Sequence, residues 1–187
     1  MIVSEVFAGA YTLKFNSLPA YDEGSVDNHV YDAVYGKDSE YRFTAVYEIS
    51  VFLTNDLLKR VLIRAKGGGT AIHKTSLVIE EDLIVICCSD TVFCLSLPEL
   101  TLLWNTKADL ATCFEVFKYQ SDYIVHGELE ISRLSRNGEI IWQQSGADIF
   151  VSTKSNEDNF AITDNYILAT DWDNRKYKFD FDGNIIV

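Results

Sequence analysis

The sequence predicts an all-β fold made of tandem four-stranded antiparallel units. The first observation is an internal repeat: Ser121–Trp142 reads SDYIVHGELEISRLSRNGEIIW, and related stretches span Asp82–Trp104 and Asn165–Val187. Each copy contains an aliphatic strand, an acidic turn, a second strand, a second turn and a closing strand. The copies follow one another at about 40 residues, which is the period of a four-stranded blade-like unit.

The second observation is the chemistry of the later turn in each copy. The dipeptides at this place are Pro98-Glu99, Asn137-Gly138 and Asp182-Gly183. Asn-Gly and Asp-Gly between apolar runs are strong hairpin signals, and they predict type I′ turns with positive φ at both central residues.

The third observation is composition. Ten Tyr and eleven Phe with one Met and two Pro favour strands over helices. A chain of 187 residues can bury one substantial core, and we expect a single repeat domain over 1–187. Within it, 1–72 holds N-terminal strands, a long loop and a degenerate first unit, and 73–187 holds three blade-like units.

The net charge of −12 constrains the partner. Nucleic acid and anionic membranes both require clustered Lys and Arg, so neither is expected, whereas a basic protein or plain solubility fits the charge. The N-terminus, MIVSEVFAGAYTLKF, has no basic n-region and carries Glu5, which argues against a signal peptide. No apolar run reaches the roughly eighteen residues of a membrane span. The sequence therefore predicts a cytoplasmic protein.

Taken in order, the chain begins with two expected strands, Ile2–Phe7 and Ala10–Phe15. The following stretch, Asn16–Glu40, is rich in Asp, Gly, Ser and Tyr and has neither helical nor strand periodicity. Connections of this length are uncommon inside compact domains and are either functional or disordered. It is open whether this one is a binding loop that presents Tyr21, Tyr31 and Tyr35, or a solvated connection.

Strands resume at Tyr41–Ala65, with Asn55-Asp56 at the place of a turn. The spacing in Leu57–Arg64 fits a short helix as well as a strand, and the β-type closing segments of the later copies favour the strand. Gly67-Gly68-Gly69 has no P-loop lysine and no helix after it, so we expect an inter-unit link. The first strands of the next three units are expected at Ser76–Ile79, Phe114–Tyr119 and Phe160–Thr163.

Two of the repeated segments resemble a known family. Leu134–Trp142 (LSRNGEIIW) and Phe179–Val187 (FDFDGNIIV) are similar to the L-D-x-x-T-G-x-x-x-W blade signature of quinoprotein-type (PQQ-like) β-propellers, and Leu95–Trp104 is a weaker copy. The resemblance implies a propeller-like arrangement. With about four units and Val187 in place of Trp, an open arc of stacked sheets is equally compatible. No quinone-binding residue is matched, so no activity is carried over.

The four cysteines, Cys87, Cys88, Cys94 and Cys113, do not have metal-binding CxxC spacing. We expect them to be small core side chains, with Cys87 and Cys88 on opposite faces of a strand.

The sharpest polar cluster is His126-Gly127-Glu128-Leu129-Glu130. A continuous strand would place its three polar side chains on one face, where they could hold a metal, but the repeat alignment predicts a solvated acidic turn instead.

Asp180–Asn184 lacks the downstream acid of a calcium loop and is expected to be a hairpin turn. The three histidines, His29, His73 and His126, have no serine or cysteine partner in sequence. No catalytic set, cofactor or metal is therefore predicted.

The sequence thus predicts a non-catalytic, acidic protein-binding module, for example an immunity-type protein that neutralises a basic toxin. The alternative is a small-ligand or carbohydrate binder, or a cryptic enzyme, with a pocket where the sheets converge. If the units stack in register, their equivalent turns form an acidic rim around an exposed tryptophan: Asp90, Glu128, Glu130, Asp171, Trp172 and Asp173. Tyr31 and Tyr35 are candidate additions to this surface. Acids at turns also keep sheet edges soluble. Trp104 and Trp142, in closing strands, are expected to be largely buried.

Overall fold

The computed structural model describes residues 2–26, 28–36, 43–151 and 159–186. This part of the chain contains sixteen strands and no helix, arranged in four sheets. None of the described segments forms an apolar helix of membrane-spanning length. All strand pairs are antiparallel except one, so the predicted all-β class with tandem antiparallel units is confirmed.

The first sheet has five strands in the order β1-β2-β4-β5-β3. Their bounds are β1 (Ile2–Ala8), β2 (Tyr11–Ser17), β3 (Ala33–Tyr35), β4 (Ala45–Leu53) and β5 (Asp56–Ala65). Because β2 pairs with β4, the N-terminal hairpin and the degenerate first unit form one sheet. The strand expected over 57–64 is correct. β3 comes from the long connection and pairs with β5 in parallel, which periodicity did not indicate because the strand has only three residues.

The second and third sheets are the expected four-stranded units, each with its strands in chain order. The second sheet comprises β6 (Leu77–Ile79), β7 (Leu83–Cys88), β8 (Thr91–Ser96) and β9 (Leu102–Lys107). The third comprises β10 (Cys113–Tyr119), β11 (Asp122–Gly127), β12 (Glu130–Leu134) and β13 (Ile140–Ser145).

The fourth sheet differs from the expectation, because it has three strands and not four. These are β14 (Phe160–Ile162), β15 (Ile167–Thr170) and β16 (Lys176–Phe179). In the place of a closing strand, the described residues make a single antiparallel bridge between Phe179 and Ile185. One bridge does not constitute a ladder, so this unit is incomplete within the described residues.

Three hydrophobic clusters hold the sheets face to face, and each cluster joins consecutive sheets. β7 shows how alternation produces this arrangement: Ile84 and Ile86 pack towards the first sheet, whereas Leu83 and Val85 pack towards the third. A strand covered on both faces reads as a continuous apolar run. Within the described residues no cluster joins the fourth sheet to the first. The units therefore form a propeller-like arc of stacked sheets.

The hairpin turns are present where expected, but the prediction that they are type I′ turns is wrong. Gly138 and Gly183 have φ of +82° and +86°, while Asn137 and Asp182 are not in the positive-φ region. Ser135 Oγ accepts the main-chain N–H groups two and four residues later, and Asp180 Oδ1 does the same in the last unit. Such a side-chain cap favours a type I turn followed by a single left-handed glycine.

Candidate functional site

One end of the stack, here called the turn end, carries the turn between β7 and β8, the turn between β11 and β12 and the turn after β15, together with the links between sheets. Main-chain hydrogen bonds connect these segments across the sheets. The N–H to O pairs are Gly68–Ala111 (2.8 Å), Cys113–Ser89 (2.6 Å), Glu128–Thr112 (2.7 Å), Phe150–Glu128 (2.6 Å) and Trp172–Ile149 (2.9 Å). The equivalent turns therefore emerge at a common end, as stacking in register requires.

The link at Gly67-Gly68 packs tightly into this end. A β-carbon on Gly67 would collide with the carbonyl oxygen of Ala111 and lie 2.7 Å from Cβ of Asp90. A β-carbon on Gly68 would collide with Oγ1 of Thr112. The glycines are therefore required by close approach between units, and no phosphate-binding role is needed to explain them.

The centre of the turn end is Asp109, a residue that the sequence analysis missed. Its side chain is almost fully buried, with 1% of the residue exposed. Oδ1 accepts the N–H groups of Ala111 (2.6 Å) and Thr112 (2.9 Å), and Oδ2 accepts those of Leu129 (2.9 Å) and Glu130 (2.8 Å). One carboxylate thus holds an inter-unit link against the turn of the next unit.

A sequence signal for Asp109 does exist. Ala108-Asp109-Leu110 follows β9 directly, and the similar tripeptide Ala147-Asp148-Ile149 follows β13 after one intervening residue, Gly146. Asp148 accepts the N–H of Ile149 at 2.8 Å, so both copies use the carboxylate to hold main chain in the link. The repeat of three residues is short and lies outside the strand pattern, which is why periodicity alone does not reveal it.

The predicted rim carboxylates Asp90, Glu128 and Glu130 lie at the turn end, but each has a partner. Asp90 is 8% exposed and pairs with Lys107 at 3.0 Å. Glu128 is half-buried and accepts the Thr112 hydroxyl at 2.7 Å. Glu130 is 9% exposed and accepts the hydroxyl of Ser145 at 2.9 Å.

Asp171 is fully buried and holds its own turn. It accepts the main-chain N–H of Arg175 (2.8 Å), the guanidinium of Arg175 (3.1 Å) and the Tyr177 hydroxyl (2.8 Å). Burial alone would raise the pKa of Asp171, but these hydrogen bonds outweigh it and lower the pKa. The neighbouring Asp173 is exposed and pairs with the other nitrogen of the same guanidinium at 2.5 Å.

The rim is therefore less uniform than the sequence predicts. The expectation of a solvated acidic turn is wrong for Glu130 and Asp171, because both carboxylates are buried and accept hydrogen bonds from other side chains of the protein. Lys107 and Arg175 also place positive charge beside Asp90, Asp171 and Asp173. Of the predicted acids, Asp173 is exposed and Glu128 is half-buried, so these two keep access to solvent.

The apolar part of the turn end is exposed. Trp172 is 47% exposed and Leu110 is 68% exposed.

Trp104 and Trp142 are partly buried against the second and third core clusters. The prediction that Trp172 is more exposed than these two tryptophans is therefore correct, although the two are less buried than expected. Their indole N–H groups donate to carbonyl oxygens in the hairpin of the next unit, which keeps one edge of each ring near the surface.

Tyr31 and Tyr35 do not join this surface. The Tyr35 hydroxyl donates to the carbonyl of Leu100 at 3.0 Å, in the turn between β8 and β9 at the opposite end of the second sheet. Tyr31 packs over the face of the first sheet that points away from the second sheet, beside Glu48. β3 lies at the edge of the first sheet beside β5, with Tyr35 opposite Ile63, and Tyr31 precedes β3.

Glu48 marks a second polar site, on that outer face of the first sheet. Its side chain is 3% exposed, and it accepts Asn16 Nδ2 at 2.8 Å and contacts His29 Nδ1 at 2.7 Å. Burial alone would raise the pKa of Glu48, but the hydrogen bonds from His29 and Asn16 outweigh it and lower the pKa. Burial and the adjacent Glu48 carboxylate raise the pKa of Tyr31 to about 12. A cavity of about 600 Å³ opens above these residues.

His126 lies in β11, and the turn after it occupies Glu128-Leu129, as the repeat alignment predicts. Its ring is buried, with Nδ1 2.8 Å from Glu115 Oε2 and Nε2 3.2 Å from the carbonyl of Phe150. The ring stacks on Phe160 at 4.3 Å. In the part of the chain that the structure describes, no group of three His, Cys, Asp or Glu side chains is placed to hold a metal ion. His126 is therefore a packed and hydrogen-bonded core residue.

No family model matches the sequence, and no curated protein is a significant match. Among solved structures, the AfRom2 CNH domain superposes with a TM-score of 0.48 at 12% identity, over 95% of this chain and 50% of that one. The computationally designed Ika8 protein superposes with a TM-score of 0.54 at 10% identity, over 100% of this chain and 60% of that one. This chain thus spans between half and three fifths of those structures. The likeness to Ika8 concerns the fold alone.

Proposed function

We propose that this chain is a non-catalytic, cytoplasmic protein-binding module whose partner is a basic protein, such as a toxin neutralised by an immunity-type protein. The observation that carries the proposal is the exposure of Trp172 at the turn end, with Asp173 beside it and Leu110 on the same end. Tryptophan is enriched among the residues that dominate protein–protein binding energy, and it acts best when neighbouring groups exclude water around it.

Charge supports a basic partner. Glu128, Asp148 and Asp173 lie at the turn end with side chains that reach solvent, and the chain as a whole carries a net charge of −12. A negative surface attracts a basic protein before contact and raises the association rate, and the effect weakens as salt screens the charges.

The buried acids of this end support a binding role in another way. Asp109 and Asp171 bind main-chain N–H groups, so they hold the turns in a defined shape. A surface that is already ordered loses little conformational entropy on association, which favours affinity. The same acids have no vacant position for a substrate, because each oxygen is engaged within the fold.

An immunity-type role predicts that a gene for a basic toxin lies beside the gene of this chain, so the test uses the basic protein encoded there, and the absence of such a gene would count against the proposal. We expect Trp172→Ala to weaken its binding by roughly tenfold or more, as for an interface residue that dominates affinity. The double variant Glu128→Lys/Asp173→Lys should slow association and flatten its salt dependence. Asp164→Lys is the matched control, since Asp164 is exposed and precedes β15, at the opposite end from Trp172. A folded double variant that associates like the wild type would exclude the turn end.

A further inference from the structure

The cavity above Glu48 is built from parts of the chain that are distant in sequence. Its floor is Glu48 on β4, and its walls come from Asn16–Tyr21 and from His29–Tyr31. Glu48 and Ser50 interrupt the mainly apolar sequence of β4. They are neighbours on the same face of the strand. A buried carboxylate persists only when it is paired and hydrogen-bonded.

The partners of Glu48 come from the cavity walls. Asn16 donates to one carboxylate oxygen at 2.8 Å, and His29 contacts the other at 2.7 Å. Tyr31 lines the cavity beside this carboxylate, and burial together with the Glu48 charge raises the pKa of its hydroxyl. The walls are therefore held in place before any ligand arrives, which lowers the entropic cost of binding.

These contacts leave polar atoms for a ligand. With Nδ1 of His29 donating to Glu48, the neutral ring has an acceptor at Nε2, and the His29 side chain is 56% exposed. The Tyr31 hydroxyl, which lines the same cavity, can both donate and accept a hydrogen bond. Tyr21 lines the same cavity, and within the described residues its hydroxyl makes no hydrogen bond.

The aromatic rings of Tyr21, His29 and Tyr31 form a surface on which a ligand can stack. The rings of Tyr21 and Tyr31 lie 6.4 Å apart at an interplanar angle of 73°, and those of His29 and Tyr31 lie 6.4 Å apart at 62°. Rings set at such angles present one face and one edge to a bound molecule, which suits a flat apolar C–H surface.

A buried carboxylate suggests a cationic ligand, but the charges around Glu48 argue against one. Arg60 Nε lies 3.7 Å from the Glu48 carboxylate, and His29 lies on its other side. The negative charge is therefore already matched inside the protein, and nothing remains to compensate the desolvation of an ammonium group. The groups left to a ligand are neutral donors and acceptors beside aromatic faces.

We propose that this cavity binds a neutral, polyhydroxylated ligand of the carbohydrate class, with Tyr21 and Tyr31 against its C–H face and Nε2 of His29 accepting a hydroxyl hydrogen. The site is separate from the turn end and does not depend on the protein-binding proposal.

The experiment titrates the ¹⁵N-labelled full chain with methyl β-galactoside, methyl α-glucoside and N-acetylglucosamine, and follows amide shifts by NMR. Tetramethylammonium and inorganic phosphate are the charged comparison probes. At least one glycoside should shift the amides of Ser17, Tyr21 and His29, whereas the charged probes should not. The proposal is overturned if no glycoside shifts these amides, if the shifts map elsewhere, or if tetramethylammonium binds more tightly.

Variants separate binding from folding. Tyr21→Ala should weaken glycoside binding by about tenfold through the lost ring contact, and His29→Phe should do so through the lost acceptor. Tyr166→Ala, at a half-buried tyrosine of the fourth unit, is the matched control and should bind like the wild type. Glu128→Lys/Asp173→Lys should also leave glycoside binding unchanged. Equal affinity of the folded Tyr21→Ala and wild-type proteins would overturn the assignment.

Discussion

The indole of Trp142 packs directly on the α-carbon of Gly183. A β-carbon added to Gly183 would lie 2.7 Å from Cγ and 2.8 Å from Cδ2 of that indole, and the indole Nε1 donates to the carbonyl of Phe181 at 2.9 Å. One unit earlier, Trp104 packs in the same way on Gly138 and donates to Arg136 at 3.0 Å. Each closing strand thus docks on the hairpin turn of the next unit, which explains why glycine and tryptophan recur together in the repeat.

The first prediction tests this contact. Gly183→Ala should lower the free energy of unfolding by about 2–3 kcal/mol, because the added methyl meets the indole and because φ is positive. In a Trp142→Ala background the loss should fall to about 1 kcal/mol, the contribution of backbone strain alone. Urea denaturation of the four proteins measures the coupling.

Gly9→Ala is the matched control, since Gly9 has φ of +58° and nothing within 4 Å of the added methyl. It should cost only the strain, about 1 kcal/mol. Equal losses for Gly183→Ala with and without Trp142 would show that the ring contact contributes nothing.

The second prediction concerns Asp109. Asp109→Ala should lower the free energy of unfolding by about 3 kcal/mol, because the main-chain N–H groups that it binds become unsatisfied in a buried place. Asp148→Ala should cost less than about 1 kcal/mol, since that exposed carboxylate holds a single N–H group. Chemical denaturation measures both, and similar losses for the two variants would contradict the central role of Asp109.

The third prediction concerns the stability of the fold at acidic pH. Burial alone would raise the pKa of Glu115, but hydrogen bonds from His126 and Thr75 outweigh it, so the folded-state pKa lies below 4.5, and the pKa of Glu48 is lowered in the same way. Because the folded-state pKa is depressed, the stabilisation is complete above pH 4.5 and is lost as the pH falls through the folded-state value. The melting temperature should therefore decrease below pH 4.5.

Glu115→Gln provides the comparison for that experiment. The amide cannot titrate, so the variant should start less stable at neutral pH and lose less on acidification than the wild type. A pH profile with the same slope in both proteins would mean that Glu115 does not contribute to the acid response.

The fourth prediction concerns the thiols. All four cysteines are buried and unpaired, and Cys87 and Cys88 face opposite core clusters, as the sequence predicts. Burial raises the pKa of Cys94 to about 12, and it raises the pKa of the other three thiols as well. The thiolate is the reactive form, so a thiol reagent should label none of them in the native protein and all of them in urea. Rapid labelling of the folded chain would contradict this burial.

The units and their order are set by short-range information. Strand alternation places Ile84 and Val85 on opposite faces, and turn residues such as Gly138 and Gly183 mark where the chain reverses. Both signals act between near neighbours in sequence, so they can be read from the sequence itself. The repeat period then determines that the sheets follow one another.

The sites were decided by tertiary contacts. The buried partners of Asp109 and Glu48, and the positions of Tyr31 and Tyr35, depend on segments that meet only after the sheets stack. A carboxylate in an acidic turn has the same local sequence pattern whether it faces water or accepts buried N–H groups. Burial decides between the two, because only a desolvated carboxylate must find its hydrogen-bond partners within the protein, and burial is a property of the assembled sheets.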